Sequence, residues 1–372
     1  MSVVRPTTRS ARRPQFAARV PRFAAFVLSI SLAACSGPAT PVPAGTAAAP
    51  SASVAATSVL SPSVPSRVPD STPLASPSGS ITLYTSVTQA TIDAVVAGWT
   101  GAHPGVSVEV FRAPTAEVAA RIATDLQSGG LRADVLWLSD PLSIAAYADQ
   151  NLLQGWSPPS AAAIDSAYRT DTFFGTRLLN MVMIRGTGAA PAVADWKDLL
   201  AADVKGAIGI PDPGFAGSAF AALAYFDQAA GYGTAFYQSL KDNGATQVKS
   251  PDDVTTGVAE GRFKVGMTLD NSARTAIKKG SPVELVWPTS GAIAIYSPIA
   301  AVTASDNQAT ADSFVDFTLS AAGQTAIAGT GWQPVVGDGG PRPEGSQVSP
   351  DWQAAFGKQK DLLAAYRAIF GG

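Results

Sequence analysis

The chain has one cysteine and one histidine in 372 residues. A single cysteine permits no intrachain disulfide and no cysteine-based zinc site. A single histidine, His103, leaves no multi-histidine metal centre and no spare for a Ser-His-Asp triad. Charge is also scarce: Asp, Glu, Lys and Arg make up 15% of the chain, against 46% hydrophobic residues. Disordered chains show the opposite balance, so the chain as a whole folds. After the N-terminal region there is no run of about 18 uncharged apolar residues, which excludes a polytopic membrane protein. The length suits two domains or one large one, with ample core.

The net charge of −2 conceals an asymmetry. Residues 1–34 hold six arginines and no acid, and the remainder carries 20 basic against 28 acidic residues, a net −8. Such a chain lacks the basic surface that replaces phosphate counterions, so nucleic acid is excluded as a partner. The arginines precede an apolar run, Phe23 to Ala34, that is too short to span a bilayer and fits the core of a secretory signal peptide. The run closes on Leu32-Ala33-Ala34-Cys35-Ser36-Gly37, which resembles the lipobox of bacterial lipoproteins. That resemblance implies cleavage before Cys35, acylation of its thiol by palmitate, and an extracytoplasmic protein anchored by lipid to the cell membrane. An ordinary signal peptide with a chance cysteine is the alternative. Arg12-Arg13 hints at twin-arginine export, although Phe16 lies one place late for that motif.

Residues 36–80 are almost wholly Ala, Pro, Ser, Thr, Val and Gly, with only Arg67 and Asp70 charged. This composition buries no core and reads as a disordered linker with a reach of about 40 Å. From Ile81 the texture changes. Ile81–Thr85, Val106–Phe111 and Asp134–Leu138 read as strands, and Gln89–Thr100, Pro114–Gln127 and Pro141–Asp149 as helices. Strand–helix alternation predicts a parallel sheet covered by helices, with ligands beyond the carboxyl ends of the strands. Those ends fall at Thr85, Ser86, Thr88, Ser139 and Asp140. A second unit begins near residue 180, with strands at Asn180–Ile184, Ala207–Ile210, Val265–Leu269 and Leu285–Trp287. Helices are predicted at Trp196–Ala201, Gly214–Ala230, residues 232–242 and 252–260. The apolar stretch Ala292–Thr303 is long enough to run back to the first unit, and helices at 309–319 and 322–328 follow. An amphipathic helical segment spans Asp351–Phe370.

Two blocks carry a family resemblance: Asp195-Trp196-Lys197-Asp198-Leu199-Leu200, then Lys205-Gly206-Ala207-Ile208-Gly209-Ile210-Pro211-Asp212-Pro213. They resemble the "W-x-D-L-L … K-G-x-I-G-I-x-D-P" pattern of extracellular solute-binding proteins of ABC importers, in the branch that binds ferric iron, phosphonates, thiamine and polyamines. Phe314–Ser320, Gly323-Gln324 and Gly331-Trp332-Gln333-Pro334-Val335 match in the right order. The resemblance covers about residues 80–336. It implies an α/β, two-lobed periplasmic-binding-protein-like fold with two crossover hinge strands, near Leu178–Val182 and Tyr296–Ala300, and a ligand cleft between the lobes. Lobe 1 is placed at 81–180 with 298–372, and lobe 2 at 181–297. It further implies a monomer that closes on a small solute and delivers it to a membrane permease, with no cofactor.

The ligand is less legible. Ferric-iron members hold metal with His, Glu and a Tyr pair. Carried over, those positions fall on Thr88, on Ser139 or Asp140, and on Asn271-Ser272. Hydroxyls and amides are poor ligands for hard Fe(III), so no metal is expected. The Gly-rich entry to a helix at Gly217, Ser218 and Ala219 suits an anion, because free N–H groups and the helix dipole point at it. Ser218 either contacts the ligand or caps the helix. Asp270, at the end of an apolar strand, either holds a ligand ammonium group or caps the next helix. Both together would suit a zwitterion such as an aminophosphonate. Asn180 stands where relatives often carry Arg. Tyr296, Trp287 and Trp332 are late enough to reach the cleft. Ferric-iron or polyamine binding by the same fold, and presentation of ligand to a membrane sensor kinase, are the alternatives. An exported enzyme would have to rely on Asp140 and Asp270, which belong to no hydrolase motif, so none is expected.

Overall fold

In the computed structural model residues 74–188 and 190–371 are described. The signal sequence, Cys35 and most of the linker lie outside the described residues. The first half runs β1 (Gly79–Thr85), α1 (Gln89–Ala102), β2 (Val106–Arg112), α2 (Thr115–Gln127), β3 (Val135–Trp137) and α3 (Pro141–Ala148). β4 (Phe174–Gly186) leads into a second half of β5 (Ile208–Pro211), α4 (Gly217–Gln228), α5 (Gly233–Asp242), β6 (Thr246–Val248), α6 (Pro251–Ala259), β7 (Val265–Leu269), α7 (Asp270–Lys278) and β8 (Val283–Val286). β9 (Ala292–Ala301) returns, followed by α8 (Gln308–Leu319), α9 (Ala321–Gly329), β10 (Gln333–Pro334), β11 (Gln347–Val348), α10 (Trp352–Ala355) and α11 (Gln359–Phe370).

The strands follow the order β2-β1-β3-β9-β4-β7-β5-β6. The ladder passes unbroken between the halves because β4 and β9 belong to both. The end of β9, Ile299 to Ala301, lies antiparallel to β3 in the first half. The end of β4, Met181 to Arg185, lies antiparallel to β7 in the second. Between these ends the two strands pair with each other, with Leu178 opposite Tyr296. These are the two crossing strands expected from the sequence. The sheet is therefore mixed: β1 is parallel to β2 and β3, whereas β9 is antiparallel to β3 and β4 is antiparallel to β7 and β9, with the short β11 parallel to β9.

Every residue of β9 is buried, as is β4 from Phe174 to Ile184. Strands covered on both faces need apolar residues at successive positions, and these two runs supply them. β4 begins six residues before the strand expected at Asn180. The extra length matters because it brings Arg177 into the fold's centre. Trp99, Trp137 and Trp196 are core residues, each fully buried. Trp137 donates to Thr176 Oγ1 at 2.9 Å, and Trp196 to the Gly291 carbonyl at 3.1 Å, so neither indole N–H is stranded.

Three predicted elements differ. Trp196–Leu200 is a 3₁₀ turn and not an α-helix, because Asp198 reaches back to the N–H groups of Ala194 and Asp195 and the chain is extended again at Ala201. The helix expected from Gly214 begins at Gly217, since Asp212 holds the Gly214 N–H in a turn at 2.7 Å. The C-terminal segment is two helices, broken where Gly357 takes a left-handed φ of 84°. Its placement also differs from lobe 1 as drawn from the sequence. Tyr366 of α11 packs on Tyr237 of α5 with ring centroids 5.2 Å apart, and its hydroxyl accepts from Gln247 at 2.8 Å. Before that, Trp352 lies edge-on to Tyr296 at 5.5 Å and Phe356 edge-on to Phe173 at 6.1 Å. The tail thus spans both halves.

Candidate functional site

A cavity of about 720 Å³ lies between the halves. The first half contributes Ser86, Thr88, Thr115 and Ser139, all at or just after strand ends. The second half contributes Gly217, Ser218 and Asn271. Arg177 and Leu179 of β4 join the lining, as does Trp332 from the loop after α9. Strand alternation selects those two β4 residues, since positions two apart share a face.

Arg177 is the buried charge of a lining that also holds the exposed Arg112, Lys249, Lys279, Asp252 and Glu260. It is 1% exposed, and no acidic side chain among the described residues is within ion-pair range of it. Its Nε has no hydrogen-bond partner, and its Nη1 makes only a long 3.4 Å contact to Thr91 Oγ1. The guanidinium lies 4.2 Å from the ring centroid of Trp332, a cation–π contact that holds its plane. Burial without a counterion lowers its pKa to about 9. A buried, incompletely bonded cation is costly, and the fold supplies no anion to offset it.

The same cavity is lined by groups that donate without carrying charge. Ser86, Thr115 and Ser139 form a triangle of hydroxyls, with oxygen separations of 3.3, 3.1 and 3.1 Å. α4 starts at the cavity with no side-chain cap at all, so Ser218 is not its cap. The N–H groups of its first turn therefore remain available to a ligand. Arg177 turns this helix start into more than a terminus, because an unpartnered buried cation shares the same cavity. The combination suits a ligand carrying negative charge.

The positions expected from the sequence divide in two. Ser86, Thr88, Ser139, Gly217, Ser218 and Asn271 line the cavity. Thr85, Asp140, Asn180, Ala219, Asp270 and Tyr296 do not. Thr85 is buried, donating to the Trp137 carbonyl at 2.7 Å and accepting from the Val87 N–H at 3.0 Å. Asp140 caps α3 through the Ser143 N–H at 2.8 Å and sits behind Gly217. Ala219 is one residue too deep in α4. Tyr296 packs between Tyr168 and Trp352.

Asn180 is three residues from Arg177 and so points to the other face of β4. There its amide meets Asp270 Oδ2 and Gln333 Oε1, each at 3.4 Å, and its carbonyl accepts from Gln347 at 2.6 Å. Arg274 lies 3.8 Å from Asp270 and 2.8 Å from Glu344. Burial raises the Asp270 pKa, while Asn180 and Arg274 oppose the rise. Asp270 is thus occupied inside the protein and is not the cation partner of the zwitterion reading. Trp287 also stays out, donating to the Ser346 carbonyl at 2.8 Å. Sequence reasoning missed Arg177, Thr115 and the contact of Trp332 with Arg177. The available signal was a lone arginine inside the otherwise uncharged, mostly apolar run Phe174–Ile184.

Residues 81–333 match the family model described as bacterial extracellular solute-binding protein. The chain belongs to that family. Solved structures agree on the fold. The periplasmic binding protein AfuA from Actinobacillus pleuropneumoniae, with fructose-6-phosphate bound, superposes with a TM-score of 0.71 at 20% identity, covering 79% of this chain and 99% of that one. Iron-bound HitA from Pseudomonas aeruginosa gives 0.67 at 19% identity, covering 78% and 99%. In sequence, an uncharacterized protein of Haemophilus influenzae is 33% identical over 131 residues, which is 35% of this chain and 38% of the relative's length. Of the positions where the resemblance aligns iron ligands, Thr88, Ser139 or Asp140, and Asn271-Ser272, all but Asp140 line the cavity of this solute-binding protein. Those that line it carry hydroxyls and amides. Among the described residues, no group of three or more His, Cys, Asp or Glu is placed to hold a metal ion.

Proposed function

We propose that the chain is the substrate-binding lipoprotein of an ABC importer and that it captures a small organic anion, with a phosphate- or phosphonate-like head, in the interlobe cleft. Arg177 carries this reading: a buried cation without a counterion, in the wall of a cavity that also receives an uncapped helix start. An anion there would satisfy the guanidinium, the first N–H groups of α4 and the hydroxyl triangle together. The cavity volume favours a head with an organic body over a bare inorganic oxyanion. The bound fructose-6-phosphate of AfuA is an anion of that class on the same fold.

Ligand binding to the folded state alone raises stability, by about 2.7 kcal/mol at a hundredfold excess over Kd. Thermal unfolding with fructose 6-phosphate, 2-aminoethylphosphonate, spermidine and ferric citrate separates the readings. Stabilisation by the first or second is expected; stabilisation by spermidine alone, or by iron alone, would sink the proposal. The membrane tether is a second part of the reading. A Cys35→Ala variant is expected to lose labelling by palmitate and leave the membrane fraction, and unchanged labelling would remove Cys35 from the account.

A further inference from the structure

Asp140 does not line the cavity, yet it is the strangest group beside it. Its side chain is 0% exposed. One oxygen caps α3, and the other, Oδ2, has no hydrogen-bond partner. Across the seam stands Gly217, the first residue of α4. A Cβ placed on Gly217 would fall 2.0 Å from Asp140 Oδ2 and 2.8 Å from Ser139 Oγ. Only glycine lets the second half close this tightly over the carboxyl. So Oδ2 belongs to one half, and a residue of the other half is part of what covers it.

This arrangement has a consequence for closure. When the halves part, water reaches Oδ2 and the ionised form is solvated. When they meet, an ionised Oδ2 is buried without a donor, which is unfavourable, whereas a protonated one loses little. Burial accordingly pushes the Asp140 carboxyl up to about 7, against the lowering effect of the Ser143 and Leu142 N–H groups. The titratable groups that face it are two phenols, Tyr147 on its own helix and Tyr296 on β9; burial raises both, and the negative charge of Asp140 adds to the rise. α4 meets Oδ2 at Gly217, and among the described residues no cation pairs with Asp140. A bound anion would add a like charge nearby and push the same way.

We propose that Asp140 is a positioning residue that couples anion capture and lobe closure to the uptake of one proton. The proton comes from solvent and adds to Oδ2, giving a neutral carboxyl; no bond of the ligand changes. The inference rests on the anion reading of the cavity. The sign follows from linkage: the closed form binds the extra proton, so closure is favoured as pH falls and affinity declines as pH rises toward 7.

Calorimetric titration of the full chain with fructose 6-phosphate between pH 5 and 8, beside Asp140→Asn, tests it; the ligand's own ionisation cancels in the ratio of the two Kd values. The wild-type Kd is expected to rise relative to the variant's by up to about tenfold per pH unit between pH 5 and 7, then level off. A flat ratio overturns the inference while leaving anion binding intact. If neither protein binds the probe, the anion reading itself fails and the coupling that rests on it fails with it. Should the asparagine variant not fold, Asp140→Ser keeps the capping oxygen and replaces it.

Discussion

Arg177 and Asp270 are both buried charges near the crossing strands, and the protein treats them differently. Asp270 is enclosed by Asn180, Arg274 and, through Arg274, Glu344. Arg177 has an aromatic face and a cavity. One charge is completed by the chain's own side chains, so it organises the fold. On the proposed reading, the other is left for a ligand from outside and marks the site. The difference could not be read from residue type, since each is a lone charge within or just after a buried strand.

Substitution can break this comparison. Arg177→Leu is the strongest test: affinity for fructose 6-phosphate is expected to fall at least about 100-fold, while the ligand-free unfolding free energy holds or rises because a poorly paired buried cation is gone. Titration and urea unfolding together read the two signs; a large loss of ligand-free stability would mean that Arg177 is structural. Asp270→Ala should behave in reverse, losing about 3 kcal/mol of stability as Asn180 and Arg274 lose their acceptor. Its affinity should stay within about threefold of wild type, since Asp270 is outside the cavity. Trp332→Leu sharpens the contrast with the smallest effect. Loss of the cation–π contact, about 1 kcal/mol, should weaken anion binding about fivefold. If spermidine affinity fell equally, Trp332 would be a general cavity wall and not a support for Arg177.

Much of the architecture was legible in the sequence. Strand and helix periods located the elements within a few residues, and the apolar stretch at Ala292–Thr303 disclosed a crossing strand. Hydroxyls just past strand ends, Ser86 and Ser139, were recoverable from the rule that ligands collect there. The rest depended on facing and depth. Asp140 and Asp270 look alike as carboxylates between a strand and a helix, yet only three-dimensional packing leaves an oxygen of the first against Gly217 and gives the second its partners. Arg177 escaped because a charge inside an apolar run reads as the end of a strand, and alternation then decides whether it or Asn180 meets the ligand. The split of the C-terminal helix needed a left-handed Gly357, which period analysis does not detect.

The family match stops at residue 333, but the chain's smallest self-sufficient unit does not. Shortening it there would strip the covers from Tyr237, Tyr296 and Phe173 at once, laying aromatic surface from both lobes open to water. A recombinant version intended for ligand work therefore has to run through Phe370, and any fusion partner belongs beyond that helix.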